Sequence, residues 1–212
     1  MALHDQFRRP EGWLGRWLLR NMNKRHSGVT DWGLSHLILP RGGAILDVGC
    51  GGGRTIAKLA LASGTGRVCG LDHSPASLRE AAKTNAEMIR AGSVEIRAGS
   101  VSQLPYASNT FDLVTAVETI YFWPDLPADV REVWRVVKPG GSLAIICEVY
   151  KGAATAMAKM VEKHAAKTGM KVLAPEELRT LLATAGFVEV QVFTDAPRGW
   201  VCAIGRKPQR DS

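Results

Sequence analysis

The 212-residue sequence has no run approaching the roughly 20 consecutive apolar residues that a membrane-spanning helix needs. A bilayer-embedded protein is therefore not expected. Cysteine is sparse, and Cys50, Cys69, Cys147 and Cys202 never approach as a CxxC pair, so neither a zinc site nor a disulfide framework is suggested. The opening stretch MALHDQFRRPEGW lacks the apolar centre of a secretory signal, which together with the cysteine usage points to the cytoplasm. Acidic and histidine residues are nowhere spaced as ligands, so no metal is expected. There is no internal repeat and no low-complexity tract, and the length suits one domain over 1–212.

Charge is present in excess of one sign only at the ends. The net charge is +7, yet residues 44–196 carry 16 Lys/Arg against 16 Asp/Glu, whereas 1–43 carry 7 against 3 and 197–212 carry 4 against 1. Basic ends either aid solubility or attract an anionic substrate, nucleic acid or membrane surface.

Between those ends the pattern alternates. GAILDVG, GRVCGLD, VEIRAG, TFDLVTAVE and GSLAIICEVY read as five buried strands. Helical spacing separates them: Ile56, Leu59 and Ala60 after the first, Leu78, Ala82, Asn85 and Ile89 after the second, Leu126, Val130, Val133 and Val137 before the fifth. Helices over about 153–168 and 175–185 follow, and GFVEVQVF and WVCAIGRK close the chain as a strand pair. This predicts an α/β fold, a doubly wound and mostly parallel seven-stranded sheet with an antiparallel C-terminal strand at its edge. The order divides the chain into an N-terminal helical segment (1–43), a core (44–148) and a C-terminal part (149–212).

Ligands of such sheets sit beyond the carboxyl ends of the strands, where strand order reverses. There the chain reads AILDVGCGGGRT, with glycines at 49, 51 and 53 allowing a tight turn and close approach of a ligand to the main chain. Asp72, about 20 residues on at the end of the second strand, is placed to accept hydrogen bonds from the two hydroxyls of a ribose. The dinucleotide pattern G-x-G-x-x-G fails, because its sixth position is Arg54 counted from Gly49 and Ile56 counted from Gly51.

What remains is D-x-G-x-G-x-G, followed in order by GLDHS, GSVSQLPYASNTFDLV and RVVKPGG. In these motifs the chain resembles the class I S-adenosylmethionine-dependent methyltransferases, and among them the small single-domain members grouped as type 11. The resemblance covers about residues 44–148. It implies a Rossmann-like methyltransferase fold and S-adenosylmethionine as cofactor. Asp47, Gly49, Cys50, Gly51 and Gly53 would form the loop around the methionine part, and Asp72 would hold the ribose. His73 and Ser74 would flank the adenosine, while Gly99, Ser100 and Val101 would line the adenine. Ser100 departs from the pattern, since an acid often stands there.

The residues after the fourth strand, VETIYFWPD, come beside the transferred methyl in that fold. Val117 and Glu118 are candidates for methionine or substrate contact, and Tyr121, Phe122 and Trp123 for an aromatic wall. Glu118, Tyr121 and His26 are the candidate proton-handling residues, needed only if the acceptor must lose a proton. Trp17, Trp32 and Phe122 are candidates for acceptor contact. Leu14, Trp17, Leu18, Leu19 and Met22 occupy one helical arc with Arg16 and Arg20 opposite, a pattern fit for a lid, a peripheral membrane contact or ordinary packing. The acceptor read from this is a small or lipid-like molecule. The missing Asn/Asp-Pro-Pro-aromatic motif argues against nucleic-acid bases. An RNA methyltransferase with basic ends and a non-catalytic cofactor-binding module are the alternatives.

Overall fold

The computed structural model describes residues 27–209, which leaves Trp17, His26 and the arginines of the N-terminal arc outside the described residues. Seven strands form one sheet: β1 (Ala44–Val48), β2 (Arg67–Asp72), β3 (Val94–Ala98), β4 (Phe111–Val117), β5 (Val137–Cys147), β6 (Val188–Asp195) and β7 (Trp200–Arg206). Their order is β3-β2-β1-β4-β5-β7-β6. The first five pair in parallel, and β7 runs antiparallel to both neighbours. The C-terminal strand is antiparallel as expected, and it lies one place in from the edge because β6 takes the outer position.

Side chains alternate across each strand, so each face has its own core. Ile45, Leu113, Ala144 and Ile204 point toward α1 (Ser27–Leu34) and α2 (Arg54–Ser63), whose Leu34, Ile56 and Leu59 meet them. Leu46, Val114, Leu143 and Ala203 point the other way, toward α5 (Leu126–Val136) and α7 (Pro175–Thr184). Each central strand is apolar on both faces, as a sheet covered by helices on both sides requires. The remaining helices are α3 (Pro75–Thr84), α4 (Ala86–Arg90) and α6 (Ala156–Thr168).

Two local expectations are corrected. The face drawn through Leu78, Ala82, Asn85 and Ile89 does not exist as one stripe, because the helix breaks at Asn85 into α3 and α4; α3 buries Ala76, Ser77 and Ala81 while Ala82 is exposed. The helix expected from 153 starts at Ala156, because the Thr155 hydroxyl accepts from the Ala158 N–H at 3.1 Å and caps it.

Asn85 explains its own break. It is buried, and its Nδ2 donates to the carbonyls of Gly53 and Ala81, both at 2.9 Å, so it ties the α3 terminus to the start of α2. Asn85→Ala removes both bonds and leaves the Gly53 carbonyl without that donor. A loss of about 1–3 kcal/mol is expected, read as a lower midpoint in chemical denaturation with an unchanged slope.

Candidate cofactor cleft and active site

The chain leaves β1 for β2 and β3 on one side, then returns to lay β4 and β5 on the other, so strand order reverses between β1 and β4. A cleft of about 250 Å³ opens beyond the carboxyl ends of these strands. One side is made by Val48, Gly49, Leu71, Asp72 and His73, with Gly99, Ser100 and Val101 beside them. The other is made by Thr119, Phe122, Trp123 and Pro124.

Asp72 organises the first side. Its Oδ2 accepts from the Gly51 N–H at 2.9 Å, its Oδ1 from the Ser74 N–H at 2.8 Å, and its carbonyl from the Gly99 N–H at 3.1 Å. Gly49 and Cys50 both donate to the Leu71 carbonyl, at 2.7 and 3.0 Å. The glycine loop is thereby folded back onto the end of β2. Gly49 has φ 74°, and a Cβ there would run into Thr119 Oγ1, so only glycine lets the two sides of the cleft meet. Gly51, at φ 52°, has open space where a side chain would stand. That space, rimmed by an anchored carboxylate, fits the methionine and ribose parts of the cofactor. The carboxylate oxygens retain lone pairs for the ribose hydroxyls.

The cleft collects Gly49, Asp72, His73, Gly99, Ser100, Val101 and Phe122 from the residues singled out in the sequence. Others it does not collect. Ser74 is the cap of α3, its Oγ accepting from the Ser77 N–H at 3.4 Å. Cys50 is buried, and burial together with the nearby carboxylates of Asp72 and Asp47 pushes its thiol up, so it is a packing residue below the loop. Val117 turns toward the apolar cluster of α1, where Trp32 packs edge-on to His36 and 5.9 Å from Trp200. Tyr121 is corrected outright as a proton acceptor or wall residue. Its ring is core, its hydroxyl faces the Val149 carbonyl at 3.3 Å, and burial pushes its pKa well above the ordinary phenol value. Glu118 adopts a left-handed backbone at φ 57°, next to Thr119, and its Oε1 accepts from the Glu148 N–H.

Two threonines join the site that the sequence motifs do not mark. Thr119 abuts Gly49 and accepts from Trp123 Nε1 at 3.4 Å. Thr115 is the Cα partner of Asp47 across the β1–β4 pair and donates to its Oδ1 at 2.7 Å. A hydroxyl inside the apolar run FDLVTAV is the one signal for it. Among the described residues no three His, Cys, Asp or Glu side chains gather as a metal site.

A sheet in this order, with a glycine loop and an acid-tipped second strand at its switch point, is the fold of the methyltransferase structures it resembles. Comparison with known proteins supports a class I S-adenosylmethionine-dependent methyltransferase. A family model described as a methyltransferase domain matches residues 46–145. The uncharacterized methyltransferase YdaC of Bacillus subtilis is 25% identical over 189 residues, covering 88% of this chain and 96% of the relative. A demethylmenaquinone methyltransferase of Bacillus licheniformis is 35% identical over 58% of this chain, which spans only about half of that relative's length, 52%. The structure of geranyl diphosphate C-methyltransferase from Streptomyces coelicolor, solved with S-adenosylhomocysteine, superposes with a TM-score of 0.73 at 16% identity, over 85% of this chain and 76% of that one.

Asp47 itself lies beneath the loop at 2% exposure and does not line the cleft. Burial, opposed by the Thr115 hydrogen bond and aided by the Asp72 charge, raises its pKa from 3.8 to about 7. A pKa raised on folding means that the native state binds the proton more tightly than the unfolded chain. Stability from that proton is complete below about pH 4 and is lost as pH rises through about 7. Asp47→Asn, which keeps the acceptor for Thr115, is therefore expected to equal the wild type near pH 4 and to exceed it increasingly up to neutrality. The rise from 3.8 to about 7 sets a ceiling of about 4 kcal/mol on that gain. Denaturant midpoints of both proteins across this pH range check it; a constant gap would contradict the assignment.

Proposed function

We propose that the chain transfers the methyl group of S-adenosylmethionine to a small-molecule or lipid-like acceptor. The observation that carries this reading is the Asp72 carboxylate, fixed by two backbone N–H groups at the rim of the space above Gly51. S-adenosylmethionine supplies a methyl carbon already activated by a sulfonium, open to in-line displacement in which the carbon–sulfur bonding pair leaves with sulfur.

The protein's part is then binding and alignment. Asp72 accepts from the ribose hydroxyls, His73 and Gly99 to Val101 enclose the base, and the loop from Gly49 to Gly53 borders the amino-acid end. Ser100, a neutral acceptor where an acid often stands, weakens the hold on the adenine amino group by no more than about 1 kcal/mol. Thr119, Phe122 and Trp123 form the opposite side and keep water from the transfer. Glu118 stands one residue from that wall and is the described candidate for taking a proton from the acceptor. On sequence grounds His26 and Trp17, in the segment before α1, complete the acceptor side. A cytoplasmic location rests on the sequence; among the described residues no helix is long and apolar enough to cross a membrane. The demethylmenaquinone and geranyl diphosphate enzymes support an acceptor that is small and partly apolar.

Calorimetry is expected to show micromolar binding of S-adenosylhomocysteine and none of comparable strength for NAD. Asp72→Ala should weaken it by about 1.5–3 kcal/mol, because charge-assisted hydrogen bonds to the ribose disappear and the loop loses its anchor. Equal binding by the variant would refute the assigned ribose contact. Turnover on a panel of quinols, isoprenoid alcohols and phenols, with RNA as the contrasting acceptor, tests the substrate class.

A further inference from the structure

Helix α6 is bound to the rest of the molecule by a narrow strip. Ala158 is its one fully buried residue, packed with Val149 and Ala153, and Val161 is partly buried beside them. Its carboxylate, Glu162, is turned inward, where it accepts from the Gly152 N–H at 2.8 Å. The outward face carries Lys159, Lys163 and Lys167, all exposed and none paired with an acid among the described residues. At spacings of four residues they form a stripe about 12 Å long. Met160, 61% exposed, stands beside Lys163 and Lys167, three and seven residues on, whereas Met157 lies round the helix from the stripe.

Lysines beside a protruding methionine match an interface that is anionic at its surface and apolar just below, and methionine, unbranched and flexible, inserts readily among disordered chains. The position of α6 gives the match a purpose. In the segment that follows it, the Lys171 N–H donates to the Tyr121 carbonyl at 3.1 Å. Lys171 Nζ donates to the carbonyls of Trp123 and Pro124, at 3.0 and 2.7 Å. Trp123 and Pro124 line the cleft, so the segment that leaves α6 is tied to the cleft wall.

We infer that α6 docks the protein on an anionic lipid surface through Lys159, Lys163, Lys167 and Met160. The docking is separate from methyl transfer and is read without it. The full-length chain is expected to co-sediment with vesicles of phosphatidylcholine mixed with phosphatidylglycerol, not with phosphatidylcholine alone, and to be released by high salt. The variant Lys159→Glu, Lys163→Glu, Lys167→Glu should lower partitioning by more than about tenfold. Met160→Ser should lower it severalfold at unchanged charge. Because these side chains are exposed, both variants should keep the wild-type thermal midpoint and affinity for S-adenosylhomocysteine. Wild-type partitioning by the lysine variant would place any membrane contact elsewhere, including the basic N-terminal segment, and overturn the inference. Retention by the methionine variant would overturn the insertion of that side chain. Binding of single-stranded RNA that the lysine substitutions abolish, without vesicle binding by the wild type, would assign the face to nucleic acid instead.

Discussion

The cleft depends on one carboxylate. Asp72 ends β2 and touches three separate loops: through its side chain the glycine loop at Gly51 and the start of α3 at Ser74, and through its carbonyl the loop after β3 at Gly99. Charge-assisted bonds to backbone N–H groups are stronger than neutral ones, and these are shielded, with Asp72 itself 8% exposed. Loops that would otherwise move independently are held in one arrangement before any ligand arrives, which reduces the ordering cost of binding. Beneath it, Asp47 is kept from ionising easily, so the two acids do not place full like charges together under a loop meant to approach a ligand closely.

The facing side is held differently. Glu118 in its left-handed conformation turns the chain sharply at the end of β4, which sets Thr119 against Gly49 and sends Ile120 to Phe122 into a short 3-10 turn. Lys171 then clasps the carbonyls at the end of that turn. The β2 side is thus fixed by an anion on amides, and the β4 side by a cation on carbonyls.

The sheet, its helices and the β2 side of the cleft are legible in the sequence because they rest on local patterns: apolar runs, glycines in sequence, an acid at a fixed distance. Tyr121 misleads because its neighbours Phe122 and Trp123 do line the cleft, and a 3-10 turn sends adjacent side chains in different directions, which a run of aromatics does not reveal. Thr115 and Thr119 act across strands and loops, and their partners Asp47 and Gly49 are about 70 residues away in the chain. Strand order is hidden for the same reason. Only the polar alternation of GFVEVQVF, against the unbroken VCAI of WVCAIGRK, hints at which of the two lies against β5.

That order carries a consequence for how the chain is made. β6 leaves the ribosome before β7, yet β7 must come to lie between it and β5. Until then the flank of β5 that will pair with β7, the very apolar Leu143–Cys147, has open backbone donors and acceptors, and the neighbouring strand in sequence is the wrong one to fill them. A nascent chain that let β6 pair there directly would leave β7 at the rim, in the order β5-β6-β7. The Val188–Gln191 irregularity in β6 and the exposed residues Glu189 and Gln191 disfavour that mispairing, because they make the outer strand more polar than its inner neighbour.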